Sequence, residues 1–164
     1  MAAKSVRPIP EGKEGLIPHL VCESCTEAIE FYKKAFGAKE IYRVPAPDGR
    51  RIMHAEIRIG NKVVFLVDDF PEFCGGKSTS PKSLKGSPVT LHQFVEDCDA
   101  AIERARAAGA KVTMPAADAF WGDRYGVVTD PFGHNWSFAT HQKDLAPEEI
   151  RAGMATAFAQ QPGA

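Results

Sequence analysis

No apolar run in this 164-residue chain approaches the ~18 to 20 residues that a membrane-spanning helix needs, so no membrane partner is expected. The opening residues, MAAKSVRPIPEGKEG, lack the apolar stretch of a secretory signal, which makes the cytoplasm the expected compartment. An excess of one charge is missing too. Twenty Lys and Arg stand against twenty-one Asp and Glu, a net charge of −1, and such a surface has no field to attract a phosphate backbone, so nucleic acid is not expected either. Cysteine is scarce. Cys22, Cys25, Cys74 and Cys98 include one C-x-x-C and no second pair, which fits free thiols better than a disulfide framework or a zinc knuckle. The chain is not short of core material: 44% of residues are hydrophobic and 25% charged, the balance of a folded globular protein.

The most ordered-looking stretch is Arg124 to Thr140, RYGVVTDPFGHNWSFAT. Two runs rich in β-branched and aromatic residues flank Asp130-Pro131-Phe132-Gly133, which combines a turn former, a fixed φ and a residue free to take positive φ, so a β-hairpin is expected. Sliding the chain back by 73 positions lays Arg124 on Arg51, Gly133 on Gly60 and His92 on His19. The chain reads as two copies of one unit.

Each copy reads as β-α-β-β-β. In the first, at 16–70 after a leader at 1–15, Ser24-x-x-Glu27 makes a capping box for a helix ending at Gly37. Strand alternation places Met53, Ala55, Ile57 and Ile59 toward that helix and His54 and Glu56 on the opposite face, where Ile17, His19 and Val21 also fall. Residues 71–88 are rich in breakers and read as a linker or a flap over a pocket. The second copy, at 89–145, places Thr90, His92 and Phe94 on one face, caps a helix at Asp97 or Asp99, gives a short strand over 111–114 and then a loop carrying Phe120 and Trp121. Trp136 and Phe138 are expected in the core, and His134 and His141 in structural or solvated positions. Pro147 with Glu148 and Glu149 opens a C-terminal helix within 146–164. The fold class is therefore α+β, two βαβββ modules plus a C-terminal helix, and a homodimer is expected.

The two modules, with IEFYKKAFGA, VEDCDAAIERARAAGA and DPFGHNWSF, resemble the vicinal oxygen chelate superfamily of glyoxalases, bleomycin-resistance proteins and dioxygenases. HAEIRIG, FPEFCGG, SPVTLHQFVED, GDRYG and ATHQKDLAPEEI are similar to the glyoxalase-like branch associated with phosphonate operons. The resemblance implies a curved mixed sheet and a cleft. It also implies metal-ligand positions that fall here at Ile17, Val64, Thr90 and Ser137, none a histidine or carboxylate, so no cofactor is expected at the usual site. A divalent metal at a displaced site built from His19, His92, His54 and Glu56 is the alternative. The expected cleft residues are His19, His54, Glu56, Thr90, His92, Phe94, Trp121 and Arg124, with Tyr125 beside them. The function expected is binding of a small molecule. The alternative is a lyase, isomerase or dioxygenase-type enzyme using the displaced metal or a His54–Glu56 acid-base pair.

Overall fold

A computed structural model describes residues 6–159. The chain divides after Ser83 into two compact units. In the first, β1 (His19–Cys22), α1 (Cys25–Phe36), β2 (Lys39–Pro45), β3 (Ile52–Ile59) and β4 (Lys62–Asp68) follow in sequence, and the sheet order is β1-β4-β3-β2. β1 runs parallel to β4, and the other pairs are antiparallel.

Local sequence explains α1. Ser24 caps it, its side chain accepting from the Glu27 amide at 3.4 Å, and Gly37 ends it at φ 64, a conformation that costs glycine little. Ala28, Ile29, Tyr32, Ala35 and Phe36 recur at helical spacing and are all buried. They cover Leu20, Cys22, Ala55, Ile57, Val64 and Leu66, the helix-facing set of the sheet. Asp68, at the end of β4, ties the unit together. Its buried carboxylate accepts from the Cys25 amide at 2.7 Å and the Ile52 amide at 2.5 Å, so one side chain satisfies the first turn of α1 and the start of β3.

Residues 69–88 are not structureless. They hold a turn of 3-10 helix, Pro71–Phe73, and a short helix α2, Pro81–Leu84, while the Asp69 carboxylate gathers Ser78 and the amides of Thr79 and Ser80.

The second unit repeats the plan with β5 (Thr90–Phe94), α3 (Cys98–Ala107), β6 (Lys111–Asp118), β7 (Asp123–Thr129) and β8 (Asn135–His141), in the order β5-β8-β7-β6. Asp97, not Asp99, caps α3, accepting from the Ala100 amide at 2.9 Å. Thr140 takes the role that Asp68 has in the first unit, accepting from the Cys98 amide at 2.8 Å. Trp136, Phe138 and Val128 fill the core with Ala101, Ile102 and Ala105. Gly126 lets α3 approach: a Cβ there would lie 2.7 Å from Ile102 Cδ1 and 3.0 Å from the Met114 carbonyl. In the β7–β8 turn, the Asp130 carboxylate accepts from the amides of Phe132 and His134 and from the Trp136 indole, each at 2.9 Å.

β6 is longer than the expected strand over 111–114, reaching Asp118. Pro115 falls where its pairing with β7 shifts register, which an edge strand tolerates because the missing N–H faces away from a partner. Finally, α4 (Pro147–Ala159) begins at its proline and packs Gly153 against Phe120, with the Cβ position 3.2 Å from Phe120 Cβ. The rest of the expected 146–164 segment, from residue 160 on, lies outside the described residues.

Candidate functional site: the open faces of the two sheets

Each sheet has one face covered by its helix and one free of it, and strand alternation decides which side chains stand on the free face. In the first unit His19 pairs with Phe65 and Glu56 pairs with both Phe65 and Tyr42, so these side chains share that face with His54. They form one cluster. Glu56 is 2% exposed, yet its Oε1 accepts from Lys13 Nζ at 2.5 Å and from the Tyr42 hydroxyl at 2.8 Å, and lies 3.3 Å from His54 Nε2. The His54 ring meets Phe65 edge-on at 4.8 Å and His19 at 6.1 Å. Lys13 Nζ lies 5.3 Å from the centre of the Phe65 ring and 5.9 Å from that of Tyr42.

The electrostatics follow from these contacts. Burial pushes the Glu56 carboxyl up, but hydrogen bonds from Lys13, Tyr42 and His54 outweigh it and hold the group below the usual glutamate value, ionised. His19 is lowered by burial and then by its neighbour His54, so its neutral form is favoured.

The second unit carries a different set. His92 Nδ1 is 2.8 Å from Ser137 Oγ, and its ring stacks on Tyr125 at 6.1 Å and meets Phe94 edge-on at 4.8 Å. Trp121 packs edge-on against Tyr125 at 5.4 Å and donates from its indole to Asp123 Oδ2 at 2.9 Å. His141 reaches the other Asp123 oxygen at 2.7 Å and Asp144 at 2.9 Å, and these two carboxylates, Asp144 foremost, raise its pKa. Thr90 lies two residues before His92 on the same face of β5.

The expected site residues thus fall into two groups: His19, His54 and Glu56 in the first unit, and Thr90, His92, Phe94 and Trp121 in the second. Arg124 joins neither. Its guanidinium is engaged by Asp99 on α3 at 2.7 and 2.8 Å and by Asp118 at 3.2 Å, on the helix-bearing side of its sheet. The expected loop before the hairpin was to bring Arg124 to the rim of the cleft, but β7 already begins at Asp123, and alternation with Gly126 and Val128 turns Arg124 toward α3. Residue pairing matches Ser137 with Phe65 and Val127 with Glu56, which makes Arg124 the counterpart of Met53.

The same register corrects Val64. It pairs with Ile57 and faces α1, so the open-face position of β4 belongs to Phe65, because a slip of one residue moves a side chain to the other face. The correction changes no chemistry. Ile17, Phe65, Thr90 and Ser137 offer two hydroxyls and no imidazole, carboxylate or thiolate, a set unsuited to a divalent ion. Among the described residues, no three His, Cys, Asp or Glu side chains are grouped as they would need to be to share one.

Sequence reasoning missed Lys13, Tyr42, Phe65 and Asp123. Tyr42 and Phe65 were open to detection, since alternation from β3 through its two neighbours marks them. Lys13 gave no signal, because it lies in a stretch without periodicity.

The βαβββ repeat and this residue pattern belong to a known family. The chain is a member of the Glyoxalase/Bleomycin resistance protein/Dioxygenase superfamily, whose sequence profile matches residues 17–138. It is 51% identical over 141 residues to uncharacterised proteins of Mycobacterium bovis and Mycobacterium tuberculosis, covering 86% of this chain and 92% and 82% of theirs. Among solved structures it resembles a gene product of Arabidopsis thaliana (30% identity, TM-score 0.62, 76% of this chain and 97% of that one). It also resembles TioX from Micromonospora sp. ML1 (28% identity, TM-score 0.60, 77% and 99%). The PhnB protein of Bacillus cereus, at 14% identity and TM-score 0.58 over 77% of this chain and 99% of that one, shares the fold alone.

Proposed function

We propose that this protein is a small-molecule-binding member of the superfamily, from the glyoxalase-like branch associated with phosphonate operons. In this reading it is a cytoplasmic homodimer that takes its ligand on the open sheet faces without the superfamily's usual metal site. The observation that carries the reading is Glu56, a charged carboxylate 2% exposed on the sheet face opposite α1. A buried charge is costly unless paired, and three separate residues supply its partners. The fold does not require it, since the paired position in the second unit is Val127. A costly polar group that the architecture can dispense with is best explained by recognition.

The donor set supports the metal-free part of the proposal, because hydroxyls and apolar side chains stand where ligands would be needed. Metal analysis combined with native mass spectrometry tests it, using protein purified without chelator or affinity-tag nickel. The expected result is a dimer with no stoichiometric transition metal and, where a ligand survives purification, an organic adduct. One bound Zn, Fe, Mn or Ni per chain would overturn the metal-free reading.

A second reading is enzymatic and rests on the 3.3 Å approach of His54 Nε2 to Glu56 Oε1. A carboxylate beside an imidazole orients the ring, so His54 would move a proton to or from a ligand held against Phe65. The two readings separate once a ligand is in hand. If His54→Ala abolishes turnover while binding falls only a few-fold, the protein is an enzyme; if no turnover accompanies binding, it is a binder.

A further inference from the structure

We infer that the open face of the first sheet is a receptor for an organic ammonium ion, and that Lys13 occupies it as the chain's own stand-in. This deepens the small-molecule reading above and rests on it. The Lys13 ammonium bonds the buried Glu56 carboxylate at 2.5 Å and lies against the rings of Phe65 and Tyr42, 5.3 and 5.9 Å from their centres. A carboxylate and two π faces around one point select a cation by charge and by ring quadrupole together. A neutral group placed there would leave the carboxylate with Tyr42 and His54 as its partners and no counter-charge, and an anionic group would be repelled. The neighbouring His19 is held toward its neutral form and so does not oppose a cation.

Lys13 is poorly suited to being a structural partner for this acid. It precedes β1, belongs to no helix or strand, and its backbone is held by a turn in which its amide donates to the Pro10 carbonyl at 3.1 Å. No sheet pairing is broken when its side chain leaves, and that side chain is already 26% exposed. A tethered lysine competes with free ligand at an effective concentration of millimolar order, so it tunes affinity without blocking access. The ligand class is a primary alkylammonium: an amine on a flexible carbon chain, matching what Lys13 places there.

The test uses the full chain and n-butylammonium, with 1-butanol and butyrate as neutral and anionic counterparts, followed by the NMR signals of the His54 and His19 rings. Lys13→Ala should bind butylammonium roughly tenfold more tightly than wild type, because the tethered competitor is gone. Lys13→Met, which refills the space with an uncharged chain, should not gain that affinity. In Lys13→Ala combined with Glu56→Gln, the binding should be lost. Equal binding of butylammonium to wild type and Lys13→Ala, or binding that survives Glu56→Gln, overturns the inference. If butanol or butyrate binds this face as well as butylammonium does, the ammonium specificity fails while the small-molecule reading stands. Should Lys13→Ala fail to fold, wild type still answers: saturating butylammonium should release the Lys13 ε-methylene from its ring-current shift, and persistence of that shift refutes the proposal.

Discussion

Trp136 and His54 lie on opposite sides of comparable sheets, and the difference sets what each contributes. Trp136 is 4% exposed beneath α3 and bonds Asp130, so Trp136→Ala removes a buried aromatic together with that bond, at about 3 to 5 kcal/mol. His54→Ala and His92→Ala act on the faces opposite α1 and α3 and should each cost under about 1 kcal/mol. Thermal unfolding of the three variants side by side checks this, and histidine variants as unstable as Trp136→Ala would show that the faces are misassigned. Glu56 adds a pH dependence. Its folded-state pKa lies below that of the unfolded chain, so its contribution is complete above the ordinary glutamate value of 4.5 and is lost as pH falls through the lower folded value. Glu56→Gln should therefore lower the thermal midpoint near neutrality and lower it less in acid; a difference independent of pH would contradict the assignment. The alternation that put His54 and Glu56 together was legible in the residue string, but the partners on Glu56 were not, since Lys13 approaches across 43 positions of sequence.

At the scale of elements, the local signals held where they were local. Ser24 and Gly37 bound α1, Asp97 caps α3, and Pro147 opens α4, each through contacts within a few residues. The joints between elements are another matter. Asp68 reads as an unremarkable strand end, yet it closes the start of α1 and of β3 at once. Asp68→Ala should cost about 2 to 5 kcal/mol by leaving two buried amides unsatisfied, and Thr140→Val, which removes the corresponding cap on α3, should cost less. Denaturant unfolding ranks the two, and an Asp68→Ala change no larger than that of an exposed aspartate would remove it from this role. Arg124 failed as a site residue for a related reason. It was expected at the rim beside a loop, whereas it lies inside β7, where alternation and the bonds to Asp99 place it on the face of α3.

At the scale of the whole molecule, α4 has no buried residue, and Met154 and Phe158 are 43% and 66% exposed. Gly153 against Phe120 fixes the helix to its own unit, leaving those two side chains uncovered. The homodimer proposed above would give them a partner. Light scattering at roughly tens of micromolar should report twice the chain mass, and Met154→Ser with Phe158→Ser should shift the population toward monomer, since obligate contacts depend on concentration. A wild-type monomer under those conditions counts against the proposal.

The sequence by itself determined the two βαβββ units, their helix caps and the side of each strand that faces its helix, because these depend on residues within one or two turns and on a period of two. Family membership followed from the same pattern. Only tertiary structure decided that Lys13 converges on Glu56 and that Arg124 bonds Asp99 of α3. Both are contacts between residues far apart in sequence, 43 and 25 positions, which no local period records.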